Sequence, residues 1–267
     1  MTGRPNPEPL STNDSTGKIE VSAVRQLLPE PADIDPFEAH GSALRPHSPG
    51  RPWLLINMVT TLDGATAVGG VSGTLGGDAD RTVFSAIRAV GDVILAGAAT
   101  VRAEGYGPPR TPTARQAERT ARGQELFPRI AVVTRSLDLD PTTPLFTDAV
   151  QRPLVYTVEG ADETRWAALA EVAEVVAVGS DDVDMAAMAE HLYGTGARTV
   201  VVEGGPVING HLLEAGLVDE LNVTVAPVLA GGSSHRLTHG ADPGAHEMTL
   251  AHLWTADDVL LARYVRT

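Results

Sequence analysis

TVVVEGGPVINGHLLEAGLVDELNVTVAPVL, residues 199–229, is the stretch from which the rest of the chain can be read. Thr199 to Val202 is a short run of mostly β-branched apolar residues, the pattern of a strand buried on both faces, and it ends on a carboxylate, Glu203. Gly204 and Gly205 lack a Cβ, so the backbone can turn sharply there and a ligand can approach it closely. Pro206 suits the first turn of a helix, Val207, Ile208, Leu212 and Leu213 give that helix an apolar face, and Gly216 stops it. Leu221, Val223 and Val225 then alternate with Asn222, Thr224 and Ala226, as in a strand with one polar face. The unit is strand, turn, helix, strand, and the unpaired N–H groups at the helix start favour an anion such as a phosphate. A glycine-rich turn alone describes a tight connection equally well; Glu203 beside it is what points to a ligand site.

Outside this stretch, composition narrows the classes. The chain has 267 residues, 43% of them hydrophobic, which is ample for one large packed domain. A net charge of -14 argues against bulk electrostatic binding to nucleic acid or anionic membrane. There is no cysteine, so disulfides, thiolate metal sites and a cysteine nucleophile are excluded. The sole lysine is Lys18, against 19 arginines, which removes a Walker-type P-loop and a Schiff-base lysine from the body of the chain. No apolar run reaches the roughly 18 residues of a membrane span, and the N-terminus has no signal-peptide hydrophobic region; the expected location is the cytoplasm.

Residues 1–18 are polar and proline-containing and are expected to be disordered. Residues 19–52 form a lead-in: a short helical pattern from Ile19 to Leu28, then a connection broken by prolines. The body, 53–267, alternates strand and helix. Trp53 to Val59 is the first core strand, followed by Thr61-Leu62-Asp63-Gly64 and a glycine-rich loop from Gly69 to Gly77. Asp78 is placed to cap a helix through Val90, with Arg88 near its end. Asp92 to Ala96 is a second strand, leading into Gly97-Ala98-Ala99-Thr100-Val101. A charged insertion from Pro108 to Pro128 is expected to face solvent. Arg129 to Val133 is a third strand ending on Thr134-Arg135-Ser136, where an arginine between hydroxyls is suited to clamp a phosphate. Strands at Pro153 to Thr157 and Glu174 to Val178 flank a helix at Glu163 to Ala170, and a helix from Val183 to Tyr193 feeds the strand at Thr199. Met248 to Trp254 and Val259 to Val265 close the chain as an antiparallel pair. The class is α/β with a largely parallel sheet.

TLDG at Thr61 to Gly64, GAATV at Gly97 to Val101, VEGGP at Val202 to Pro206, EAGLVDEL at Glu214 to Leu221 and AP-L-GG at Ala226 to Gly232 together resemble, in order and spacing, the pyrimidine reductase family of riboflavin biosynthesis, the reductase half of a bifunctional deaminase-reductase. The resemblance runs from about Trp53 to the C-terminus. It implies a three-layer dihydrofolate reductase-like fold, a homodimer, and hydride transfer from NADPH to the ribosyl C1 carbon of 5-amino-6-(5-phosphoribosylamino)uracil. Carried over residue by residue, it implies that Gly204, Gly205, Pro206, Val207 and Ile208, and the helix as far as His211, hold the cofactor phosphates. Thr100 and Val59 would line its nicotinamide side, Gly97, Ala98 and Val101 would also bind the cofactor, and Thr74 would approach it. Thr134, Arg135 and Ser136 would meet the adenosine 2′-phosphate. Asn57, Ser72, Arg88 and Glu203 would face the substrate, and Asp63, Glu104 and Glu203 are the acid candidates.

The chain departs from the family in two places. Asn57 stands where the family has a lysine, removing a charged contact worth about 1.5–3 kcal/mol. Glu104-Gly105-Tyr106 stands where the family tends to have an Asp-Asp-Pro or Asp-Asn-Pro segment. These departures keep a pterin or dihydrofolate substrate as an alternative, and a cofactor-binding module without turnover as another. His235 and His239, four apart, lack a third ligand, so no metal site is expected.

Overall fold

The computed structural model describes residues 23–267. The expected disorder of residues 1–18 therefore lies outside the described residues. Along the chain the elements are β1 (Arg25–Leu28), β2 (Ala32–Asp33), α1 (Pro36–Ser42), β3 (Trp53–Thr61), α2 (Gly77–Arg88), β4 (Val93–Gly97), α3 (Ala98–Ala103), α4 (Thr113–Ala121), β5 (Arg129–Val133), α5 (Pro144–Thr147), β6 (Leu154–Thr157), α6 (Glu163–Ala170), β7 (Glu174–Ala177), α7 (Met185–Gly194), β8 (Thr199–Val202), α8 (Pro206–Glu214), β9 (Glu220–Ala226), β10 (Met248–Ala256) and β11 (Val259–Arg266).

All eleven strands join one sheet in the order β2-β1-β10-β11-β9-β3-β8-β4-β5-β6-β7. From β9 through β7 the pairings are parallel, while β9, β11, β10, β1 and β2 pair antiparallel. The sheet is mostly parallel, and the C-terminal pair is antiparallel as expected. Period-two alternation sorts the strand residues into two cores. Leu55, Ile94, Ile130, Val155 and Val201 pack with Val83 and Ile87 of α2, Leu145 and Phe146 of α5 and Leu169 of α6. Leu54, Ile56, Leu95, Ala131, Leu154 and Val202 pack with Met188 and Leu192 of α7 and Leu212 of α8. Helix, sheet, helix makes three layers.

β8 is inserted between β3 and β4, which precede it by more than a hundred residues. That reversal of strand order opens a crevice at the carboxyl ends of β3, β8 and β4, where open α/β sheets take their ligands.

Three local expectations are corrected. Residues 25–28 of the expected helix are strand β1, paired with β10 and β2. Gly76, not Asp78, is the N-cap of α2, and Asp78 instead pairs with Arg81 in the first turn. The 108–128 insertion is not all solvent-facing: Arg119 of α4 is fully buried and donates to Ala89 O, Gly91 O and Glu125 O, closing the end of α2. In β9 the polar residues Glu220, Asn222 and Thr224 face inward, while Leu221, Val223 and Val225 are half-exposed.

The inward polar face of β9 anchors the lead-in. Glu220 accepts from Arg45 and Arg263, each through two nitrogens, and from Trp53 Nε1 and Asn222 Nδ2. Burial opposes its charge, but the two guanidiniums hold its carboxyl far below the usual range. Asp219 accepts from Arg51 through both oxygens and from Leu54 N.

Candidate active site

At the end of β8 the Gly204–Gly205 peptide is cis, and Gly204 has φ +83°, a backbone region that favours glycine. Gly204 O accepts from Gly97 N at 2.8 Å, locking the turn to the end of β4. A Cβ on Gly204 would lie 2.9 Å from Met58 Sδ, and one on Gly205 would lie 3.0 Å from Thr100 Oγ1. A side chain at either position would therefore press on Met58 of β3 or Thr100 of α3.

Gly205 is the N-cap of α8 and supplies no side-chain cap, and Pro206 at the next position has no N–H. The N–H groups of Val207 and Ile208 thus head the helix without a capping side chain. Val207 is exposed and Gly205, Pro206 and Ile208 are half-buried, so this end is open. Two strands away, past Gly97, Ala98, Thr100 and Val101, β5 ends at Thr134, which is buried, and at Arg135 and Ser136, which are exposed. Arg135 has no hydrogen bond or ion pair from its side chain among the described residues. Two strand spacings span roughly 10 Å, so the carboxyl ends of β8, β4 and β5 form a continuous ledge. An extended ligand with one anionic group at α8 and another near Arg135 fits it. The uncapped helix start is the chemistry a phosphate or pyrophosphate needs.

Beside the ledge, Glu203 is buried at 6% exposure. Arg88 grips it with Nε to Oε1 and Nη2 to Oε2, both 2.6 Å, and Tyr106 Oη donates to Oε2 at 2.6 Å. Burial alone would weaken the arginine's hold on its proton, but Glu203 more than reverses this and raises its pKa. Burial, then Glu203, pushes the Tyr106 hydroxyl well above its usual value. The Arg88 guanidinium also lies 4.3 Å from the Phe84 ring centre. Arg88 thus faces the cleft with its charge already paired.

Glu104 caps the C-terminus of α3 and reaches the glycine-rich loop: its Oε1 accepts from Ser72 N at 2.7 Å and Ser72 Oγ at 2.9 Å. Its Oε2 has no partner among the described residues. Thr74 is exposed on the same loop, and Asn57 and Val59 are half-buried on β3. Asp63 lies apart. It is exposed and accepts from Thr61 Oγ1, Ala230 N and Gly231 N, which brings its pKa down to about 2. That carboxylate braces two loops, and its pKa is shifted opposite to the need of a proton donor near neutrality.

The structure brings together a group the motif reading passed over. Asp80, in the first turn of α2, is half-buried against β9, where Thr224 Oγ1 donates to its Oδ1 at 2.6 Å. Burial raises its pKa, partly offset by Thr224 and Arg81. The available signal was spacing: Asp80, Phe84 and Arg88, four apart, share one side of α2. A cavity beside Thr224 is lined by His40, Asn57, Val83, Asn222, His252 and Trp254. The His235 and His239 rings lie 3.9 Å apart, tilted by 38°, and no cluster with metal-ligand composition occurs among the described residues.

Comparison with known proteins identifies the family and the fold. Residues 52–262 match the RibD C-terminal domain. The 2,5-diamino-6-ribosylamino-4(3H)-pyrimidinone 5′-phosphate reductase of Methanothermobacter thermautotrophicus is 34% identical over 187 residues, which cover 70% of this chain and 82% of that protein. The reductase of the same name from Archaeoglobus fulgidus is 30% identical over 187 residues, covering 68% and 83%. A crystal structure of a pyrimidine reductase-like protein from Corynebacterium diphtheriae superposes with a TM-score of 0.79 at 24% identity, over 87% of this chain and 98% of that one, and so shares its fold. The chain belongs to the RibD C-terminal domain family.

Proposed function

We propose that the chain is an NADPH-dependent reductase of a ribosylaminopyrimidine 5′-phosphate in riboflavin biosynthesis, with residues 53–267 as its reductase unit. The observation that carries this reading is the uncapped start of α8, flush with the end of β4 and next to the Glu203–Arg88–Tyr106 network. Gly205, Val207 and Ile208 would hold the pyrophosphate, Thr100 and Val59 the nicotinamide side, and Arg135 with Thr134 and Ser136 the 2′-phosphate. Bound there, NADPH supplies a hydride. The chain's own part is to orient the sugar carbon and deliver a proton to the ring oxygen that becomes a hydroxyl when the sugar opens. Of the three acid candidates, Glu104 suits that task. Both oxygens of Glu203 are held by Arg88 and Tyr106, both of Asp63 brace loops, and Glu104 keeps Oε2 free.

A pterin substrate is the second reading. Asn57 carries no charge and Arg88 is paired with Glu203, so the cleft near them offers little free cation for a sugar phosphate. Oxidation of NADPH with either ribosylaminopyrimidine phosphate, yielding a product two mass units heavier, supports the first reading. Oxidation with dihydropterin alone retires it.

The proposal includes a homodimer and a cytoplasmic location, where NADPH and phosphorylated intermediates meet. The dimer is supported by the outward face of the antiparallel half. Leu221, Val223 and Val225 sit opposite Tyr264, Ala262 and Leu260 in register, and Leu260 is 40% exposed. A second copy would cover this apolar face.

A further inference from the structure

The pairing of Arg88 with Glu203 leaves part of the guanidinium unused. Arg88 gives Nε and Nη2 to the carboxylate, and its Nη1 makes no hydrogen bond among the described residues. The sealed, unpartnered side-chain atoms among those residues are His40 Nε2, Thr111 Oγ1, Arg119 Nη2 and Asn209 Oδ1, so Arg88 Nη1 reaches open space. Pairing offsets the charge of the arginine but leaves the N–H donors of this second edge in place. Tyr106 reaches the same carboxylate from another element. Glu104 closes α3, and Gly105 follows with φ +61°, a backbone region that favours glycine. Tyr106 N then donates to Val101 O at 3.1 Å, the bond that ends a helix on a left-handed residue. Past that turn the Tyr106 ring packs on the core and its Oη meets Glu203 Oε2 at 2.6 Å. Tyr106 stands where the family tends to have proline, which has no hydroxyl to donate, so this contact is the chain's own.

Resting on the reductase reading above, we propose that Tyr106 is a positioning residue that acts through Glu203 on Arg88. By holding Glu203 Oε2 it keeps the Nη1 edge of Arg88 turned to the cleft, where that edge takes the phosphate of the substrate. The Glu203 side chain is 2% exposed, so its oxygens depend on protein donors. Arg88 and Tyr106 supply three, with Arg88 Nη2 and Tyr106 Oη sharing Oε2. Without Oη, the nearest replacement donor is Arg88 itself, whose Nη1 would turn inward to fill the gap. The ion pair would survive, but the edge offered to a ligand would be lost. A guanidinium edge binds two phosphate oxygens through parallel N–H bonds, and an arginine paired through one edge still offers the other. The Phe84 ring, 4.3 Å from the guanidinium carbon, backs the arginine on one side. Tyr106 thereby explains how a paired arginine serves a sugar phosphate in a cleft where Asn57 brings no charge.

The test compares the full-length wild type, Tyr106→Phe and Arg88→Lys, each with the ribosylaminopyrimidine 5′-phosphate and with its dephosphorylated nucleoside. NADPH oxidation, calorimetric binding of each compound and the NADPH dissociation constant are recorded. The wild type is expected to favour the phosphate by at least about 10-fold in kcat/KM. Tyr106→Phe is expected to lose most of that preference through KM, with kcat and the NADPH constant unchanged. Arg88→Lys keeps a charge beside Glu203 but has no second edge, and is expected to abolish the preference. A tyrosine with a merely structural role would weaken both compounds alike. An equal loss for both, or a preference that persists in either variant, overturns the proposal. Equal binding of the two compounds by the wild type also overturns it, and that measurement decides the matter even if a variant does not fold. Phosphate-dependent binding that Tyr106→Phe weakens, without turnover of any pyrimidine, would sink the reductase reading and leave the role of Tyr106 standing.

Discussion

Glu203 accepts three hydrogen bonds from two residues, and its side chain is 2% exposed against 22% for Arg88. Removing its charge strands a guanidinium in a poorly solvated place. Glu203→Gln is therefore expected to cost about 3 kcal/mol of unfolding free energy, at the low end for buried pairs because Arg88 keeps some water contact. Tyr106→Phe removes one charge-assisted bond and is expected to cost about 1.5 kcal/mol. Urea melts of the three proteins check both figures, and equal stability of wild type and Glu203→Gln would show that Arg88 finds another partner. Glu104→Gln is a different kind of change, since Ser72 can still bond an amide oxygen. It is expected to lower kcat by about 100-fold or more while leaving the NADPH dissociation constant in place, as single-turnover kinetics and a titration would show.

At the scale of elements, the turn between β8 and α8 depends on Gly204. Alanine there meets both a positive φ and Met58 Sδ, so Gly204→Ala is expected to lose about 1–3 kcal/mol and to weaken NADPH binding with it. Thermal melts with and without NADPH separate the two effects. How much of this was legible in the sequence varied with how local the cause is. β5 and α6 match the expected Arg129 to Val133 and Glu163 to Ala170 residue for residue, because buried runs bounded by turn residues carry their own punctuation. β8 and the start of α8 were equally plain, marked by Glu203, Gly204, Gly205 and Pro206. β1 was misread because four residues hold strand geometry only by pairing with β10, more than two hundred positions away. The Asp80–Thr224 bond, 144 positions apart, left no local mark, and neither did the pairing of Arg88 with Glu203 across 115. Spacing could show which residues share a helix face, but not which strand that face would meet.

Across the whole molecule, the lead-in is tied to the sheet by groups that respond to pH. His252 stacks on Trp254 at 3.8 Å and, through burial and the nearby Arg263, has its pKa lowered from 6.5 to about 4. His40 is fully buried, and desolvation followed by Arg45 holds it well below its ordinary value. Between pH 6.5 and 4 the unfolded chain takes up protons on these rings that the folded chain refuses. Stability present above 6.5 is therefore lost as pH falls, by up to about 1.4 kcal/mol per unit for each ring. His252→Phe keeps the stack and removes one titration, so its stability is expected to fall less steeply across that window. Parallel curves in denaturant series would contradict this. On the opposite face, Val223→Glu places a charge among the half-exposed apolar residues of β9 and is expected to convert a dimer to monomer by light scattering. A monomeric wild type would remove the dimer from the account.

The proposed reductase activity depends on the ledge at the carboxyl ends of β8, β4 and β5 holding a cofactor. Its most direct test is a crystal grown with NADP⁺. The account predicts the pyrophosphate within hydrogen-bonding distance of the amides of Gly205, Val207 or Ile208, with the 2′-phosphate toward Arg135. A dinucleotide bound elsewhere, or none at saturating concentration, would contradict it.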